Sequence, residues 1–181
     1  MGEALQVRDI KPFSKEWSLA KGLMKRTFEP DAQAPLLMLR FVGRRNNGWF
    51  EAFYDDDLFC GFTCVFHLET CYYVLYMVVN DEIRSQGYGT RIANILKGWA
   101  GDQPIVVDIQ PLDETAENSQ ERADRVRFYV NNGFQDTGIV MREGDGEYQM
   151  VLSTKPVTVE ELETGFRKWS HGFFNPEFRQ D

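Results

Sequence analysis

The chain has 181 residues, enough for one domain of ordinary size with a sizeable core. With 43% hydrophobic and 27% charged residues, it is not disordered, collagen-like or a disulfide scaffold. A net charge of −8, with Arg44-Arg45 as the longest basic cluster, argues against a phosphate-tracking nucleic-acid binder. Residues 5–10 read as a short strand. Residues 13–28 read as an amphipathic helix with Ser14 as N-cap and Trp17, Leu19, Leu23, Met24 and Phe28 near helical spacing. Glu29-Pro30-Asp31 breaks it, and residues 36–45 form a second, short helix.

The middle of the chain is β-rich. Residues 49–54, 58–66 and 71–79 are aromatic and β-branched runs joined by short polar loops, which predicts an antiparallel meander. The character then changes. Residues 90–100 are helical, with Ile92, Ile95, Leu96 and Trp99 on one stripe. A strand at 105–110 follows Pro104. A polar helix over 117–131 ends at Asn132-Gly133, a C-cap signal. Strands at 139–142 and 148–152 flank the hairpin residues Gly144 to Gly146. Thr158 caps a last helix over 159–169, with Glu161 completing a capping box. The order β-α-α-β-β-β-α-β-α-β-β, then a helix, predicts a mixed sheet in an α/β or α+β domain.

Cys60, Cys64 and Cys71 lack metal-ligand spacing, and with only His67 and His171 beside them no closed zinc site is expected. Cys60 and Cys64 would lie about 13 Å apart on one strand, too far to bridge, so reduced core thiols are expected. No run approaches the ~18 apolar residues of a membrane helix, and residues 1–15 show no signal-peptide core. The expectation is a soluble cytoplasmic protein with no membrane or nucleic-acid partner. Its acidity fits solubility first and a cationic small molecule second.

The stretch that carries chemistry is Met77 to Arg91, MVVNDEIRSQGYGTR. A strand ends at Val79, and Arg84-Ser85-Gln86-Gly87-Tyr88-Gly89 leads straight into a helix. Glycines at such a turn admit a ligand close to the backbone. The first helical N–H groups have no intrahelical partner and carry the positive end of the dipole. This is a site for a phosphate or pyrophosphate. There is no GxxxxGK[ST] loop. A dinucleotide fingerprint fails because Ile92 stands where the third glycine belongs and the preceding strands are hairpins.

Arg84, Gly87 and Gly89 fill the fixed positions of R/Q-x-x-G-x-G/A, and Arg127-Phe128-Tyr129-Val130-Asn131-Asn132-Gly133-Phe134 matches x-F-Y-x-x-x-G-F one strand later. Together with the element order over residues 5–152, these motifs resemble the GNAT superfamily of acyl-CoA-dependent N-acetyltransferases, in its single-domain, bacterial-type form. The resemblance implies a central mixed, mostly antiparallel sheet flanked by helices, with acetyl-CoA as cosubstrate and no metal. It implies a GNAT domain over residues 1–155, with a C-terminal helix and aromatic tail over 156–181 packed on it.

In that family the strand before the turn splays from its parallel neighbour and pairs with the pantetheine arm, a role falling on Met77, Val78 and Val79. The turn Arg84, Ser85, Gln86, Gly87, Tyr88, Gly89 and Thr90 would hold the pyrophosphate, and a Val78 or Val79 N–H would stabilise the oxyanion. Tyr129 matches the family's frequent general acid. A phenol stays protonated at neutral pH and can donate to a nascent thiolate; the alternative is a tyrosine packing at a helix end.

Two departures stand out. The strand glutamate that many members use as base is absent, since the region reads Tyr73-Val74-Leu75-Tyr76. Asp108, an acid in an apolar strand, is either a base acting through water or a structural aspartate. Glu69 and His67 are further base candidates near the mouth of the site. Tyr73, Tyr76 and Glu69 are candidates to line the acceptor pocket, or the tyrosines are core. Arg122 stands where the family often has an asparagine, on a face that reads as solvated. The loop over 111–120 is the expected seat of substrate choice. Phe166, Trp169, Phe173, Phe174 and Phe178 must pack on the sheet, on a second copy in a homodimer, or beside the acceptor. The expected activity is acetyl transfer to a primary amine of a small molecule or peptide. A CoA-binding module without turnover is the rival reading.

Overall fold

The first helix begins where a serine can cap it. Ser14 accepts a hydrogen bond from the Trp17 N–H at 3.1 Å, and α1 runs Lys15–Thr27 with Ala20, Leu23 and Met24 buried. Such a cap contributes about 1 kcal/mol. The computed structural model describes residues 4–28, 30, 33–43, 47–83 and 85–181. The Arg44-Arg45 pair, Arg84, and Glu29 and Asp31 of the predicted break lie outside the described residues. The chain divides into two compact units, one of Met1–Phe66 and Val74–Trp99, the other of His67–Tyr73 and Ala100–Asp181.

In the first unit, β1 (Gln6–Asp9) lies antiparallel to β2 (Trp49–Asp55), with Val7 opposite Phe53. After α1 comes the short α2 (Leu36–Gly43). β2 lies antiparallel to β3 (Leu58–His67), which neighbours β4 (Tyr72–Val79). β2 and β3 are buried along nearly their whole length, which is why their sequences run apolar rather than alternating. Their register shifts once: Phe53 faces Gly61 and Tyr54 faces Phe59, so Cys60 bulges from β3. The helix α3 (Tyr88–Ala100) buries Ile92, Ala93 and Leu96, and the Trp99 ring meets Phe53 and Trp49 at 6.2 and 5.2 Å.

In the second unit, Tyr72 and Tyr73 of β4 pair in parallel with Ile105 and Val106 of β5 (Ile105–Ile109). β5 is antiparallel to β7 (Gln149–Ser153), β7 to β6 (Gln135–Arg142), and β6 to β8 (Glu177–Gln180). The helices are α4 (Ser119–Asn131) and α5 (Val159–Ser170), the latter opened by the predicted Thr158–Glu161 capping box. Of the ladders given above for the described residues, that of β4 with β5 is parallel and the other five are antiparallel, so the expected mixed, mostly antiparallel sheet with helices is found.

Several sequence readings need correction. The tail is not only helix and aromatic packing: residues 177–180 form β8 on the edge of β6. Its sequence, Glu-Phe-Arg-Gln, looks polar because Phe178 alone among the four is buried. Tertiary contacts hold it. Glu177 accepts from the Tyr148 hydroxyl at 2.7 Å, and the Arg179 guanidinium lies 3.9 Å over the Tyr148 ring. β6 starts at Gln135, four residues early, through an irregularity between Asp136 and Ile139 that hid its alternation. α3 starts at Tyr88 rather than Thr90, and α4 at Ser119 rather than Glu117.

Phe166 is buried against the rings of Tyr73 and Phe178, and Trp169 is buried too, whereas Phe173 is almost fully exposed. Cys60, Cys64 and Cys71 are buried free thiols, as expected. Among the described residues no helix is long and apolar enough to cross a membrane.

Candidate active site

β4 ends in a turn that its neighbours hold from several sides. Gly61 of the bulged strand faces the Val78 carbonyl so closely that a Cβ there would lie 2.2 Å from the oxygen. The buried Asn80 donates its side-chain amide to the Phe59 carbonyl at 2.9 Å and its backbone N–H to the Cys60 carbonyl at 2.8 Å. Its Oδ1 accepts from the Glu82 N–H, opening a short 3-10 turn over Asp81–Ile83. Asp81 in turn takes a two-pronged bond from the Arg26 guanidinium of α1.

The chain then enters the glycine turn. Ser85 and Gly87 both have positive φ, 66° and 80°. The Gly87 carbonyl accepts from the Arg91 N–H, so Gly87 stands at the cap of α3, followed by Tyr88, Gly89 and Thr90. A Cβ at Gly87 would meet nothing within 4 Å, so the backbone there opens outward. An α-helix leaves its first N–H groups without intrahelical partners, and here they follow two left-handed residues in three. That geometry suits a pyrophosphate, and the residues present therefore fit a bound CoA moiety. Asp55, at the end of β2, accepts from the Tyr88 hydroxyl at 2.9 Å and from Arg91 at 2.7 Å.

The second unit holds Asp108, Tyr129 and Glu143. The Tyr73 hydroxyl donates a hydrogen bond to Asp108. Burial raises the Asp108 carboxyl above its ordinary range, and the Tyr73 bond offsets part of that. Tyr129, near the end of α4, is buried with its ring edge-on to Phe128 and Phe134. Burial holds its phenol well above the usual range, and the charge of Asp108 pushes the same way against Arg125. The FYxxxGF motif is thus a helix end: the Phe134 N–H donates to the Tyr129 carbonyl, closing the turn. Glu143, the residue after β6, is also raised, by partial desolvation first and by the charge of Asp108 second.

The remaining predicted residues are otherwise engaged. Tyr76 accepts from the Ala34 N–H at 3.1 Å and meets Phe28 edge-on, in the first unit. Glu69 is exposed and pairs with Lys168 of α5 at 2.7 Å. His67 stacks on Tyr72 and contacts Gln103 at 3.0 Å. Arg122 is taken up by Asn118 and the Pro111 carbonyl. Sequence reasoning missed Asp55, Asn80 and Glu143. Only Asn80 carried a signal, an asparagine between a strand end and an acidic turn, where a side-chain carbonyl closes an Asx turn.

Comparison with solved structures agrees on the fold. A GNAT-family protein from Bacteroides thetaiotaomicron superposes with a TM-score of 0.70 at 21% identity, over 93% of this chain and 97% of that one. An aminoglycoside 6'-N-acetyltransferase in complex with coenzyme A gives 0.60 at 16%, over 84% and 99%. The ribosomal-protein-S18-alanine N-acetyltransferase from Escherichia coli gives 0.58 at 12%, over 86% and 97%. No curated protein sequence matches the chain. The model of the acetyltransferase (GNAT) family matches residues 13–134, more than half of the sequence, and ends on Phe134, the last residue of the second motif. On that match the chain belongs to the GNAT family of acetyltransferases and is an acyltransferase.

Proposed function

We propose that the protein transfers the acetyl group of acetyl-CoA to a primary amine of a small molecule or peptide, by direct attack in a ternary complex. The observation that carries this reading is the left-handed turn at Ser85 and Gly87 opening α3, a cradle of backbone N–H groups. Acetyl-CoA supplies a thioester whose carbonyl carbon is open to attack. Met77, Val78 and Val79 would offer backbone groups to the pantetheine amides. Arg84 and the N–H groups from Ser85 to Thr90 would hold the pyrophosphate. The amine nitrogen would add to the thioester carbonyl carbon to form the new C–N bond, a Val78 or Val79 N–H would stabilise the resulting oxyanion, and the C–S bond would then break as CoA leaves.

Two proton tasks remain. Tyr129, protonated at neutral pH, would be the donor to the leaving sulfur. Asp108, raised by burial and oriented by Tyr73, takes the amine proton, directly or through water. Tyr73, Tyr76 and Glu69 are the candidates to line the acceptor.

A thermal-shift series with acetyl-CoA, CoA, ATP and NADH tests the binding half. At a hundredfold the dissociation constant a ligand adds about 2.7 kcal/mol, a rise of roughly 5–11 °C, expected for acetyl-CoA and CoA alone. Free-thiol release over a panel of amines tests the rest. Tyr129→Phe should lower turnover tenfold or more while CoA affinity stays. Tight CoA binding with no thiol released by any amine would favour a binding module without turnover.

A further inference from the structure

The pyrophosphate cradle has an unusual demand: two of its residues are left-handed, and its N–H groups must all face one ligand. Left alone, such a turn samples other shapes. The structure answers with Asp55. One oxygen of its carboxylate accepts from both the Tyr88 hydroxyl, at 2.9 Å, and Arg91 Nη1, at 2.7 Å. Tyr88 and Arg91 are three apart, on one face of the first turn of α3, and the Arg91 guanidinium lies 5.2 Å over the Tyr88 ring. Asp55 closes a strand buried up to Tyr54, and its backbone stays in register opposite Leu58 of β3, which holds its place. The bonds from Arg91 and Tyr88 hold the carboxyl below its ordinary range, which keeps it ionised at neutral pH.

We infer that Asp55 is a positioning residue for CoA: it ties the first turn of α3 to the β2–β3 hairpin and so presets the N–H cradle for the pyrophosphate. It also occupies Arg91, which leaves the backbone, rather than this cation, to meet the phosphates. The inference rests on the cofactor reading above.

The test compares ligands with and without a pyrophosphate. In the full-length protein, Asp55→Ala should raise the dissociation constant for CoA by about tenfold, the loss of bonds to a charged group. Binding of pantetheine, which has the arm and no pyrophosphate, should change by less than about twofold by ligand-detected NMR. Hydrogen exchange at the Arg91 amide, which is bonded to the Gly87 carbonyl, should quicken in the unliganded variant. Asp57→Asn, an equal charge change in the exposed part of the same turn, should leave all three unchanged.

Tyr88→Phe removes one bond only and should weaken CoA by about threefold; it carries the test if Asp55→Ala does not fold. Unchanged or tighter CoA binding in these variants, or equal losses for CoA and pantetheine, overturns the inference. A wild-type protein that does not bind CoA overturns the cofactor reading itself, and the inference with it.

Discussion

Gly61 and Val78 lie in contact across two strands, with room between them for a hydrogen and nothing larger. A Cβ built on Gly61 would sit 2.2 Å from the Val78 oxygen, and the glycine's φ of 154° is one that side chains rarely adopt. The strand expected to carry the pantetheine arm therefore takes its path at Val78 from the glycine opposite. Gly61→Ala must push Val78 away or strain β3. Overpacking of this kind costs about 1–3 kcal/mol, so the melting temperature should fall by about 2–12 °C. The folded fraction should also bind CoA more weakly, read by calorimetry. A variant as stable as the parent would mean that the two strands part without cost.

As the proposed base, Asp108 would set stability against chemistry. Its carboxyl is raised in the folded protein, so between the unfolded pKa near 3.9 and the raised folded value the native state binds the extra proton. Stability then falls as pH rises through that window and is flat above it. Asp108→Asn keeps an acceptor for the Tyr73 hydroxyl and removes the buried charge. It should melt higher than the parent at pH 8, match it near pH 3, and lose its activity by about a hundredfold. In the parent, kcat/KM should fall on its acid side at a pH above the ordinary carboxylate range. A lower melting temperature for Asp108→Asn at pH 8 would contradict the cost assigned to the charge; a full rate would exclude Asp108 as base.

The elements read from the sequence were those whose cause is local. Ser14 and the Thr158–Glu161 box are caps, α1 has one apolar stripe, and the β2 and β3 runs are long enough to stand as strands without a period. The glycine turn was legible for the same reason, since it lies within six residues. What escaped depends on distant partners. β8 exists because Tyr148 and Arg142 reach Glu177, 29 and 35 residues away. Asp55 looked like any acid in a short polar loop between strands, until α3 came back over it from 33 residues on. The roles of Tyr73 and Asp108 likewise hung on one contact 35 residues apart in sequence.

The thiols give a prediction that also bears on how activity can be read. Cys64 and Cys71 are raised by burial, Cys71 to about 12, and Cys60 is raised by burial as well while donating to the Leu58 carbonyl. The thiolate is the reactive form, and a thiol of pKa about 12 is only about 1 part in 10⁴ ionised at pH 8. Free CoA carries an ordinary exposed thiol and reacts at once. A disulfide reagent such as Ellman's should therefore detect no protein thiol in the native chain over several minutes, and 3 after unfolding in guanidinium chloride. The slow native reaction should follow unfolding and speed up in Gly61→Ala as that variant loses stability. Rapid titration of any cysteine in the native protein would show that its site opens far below the global unfolding free energy.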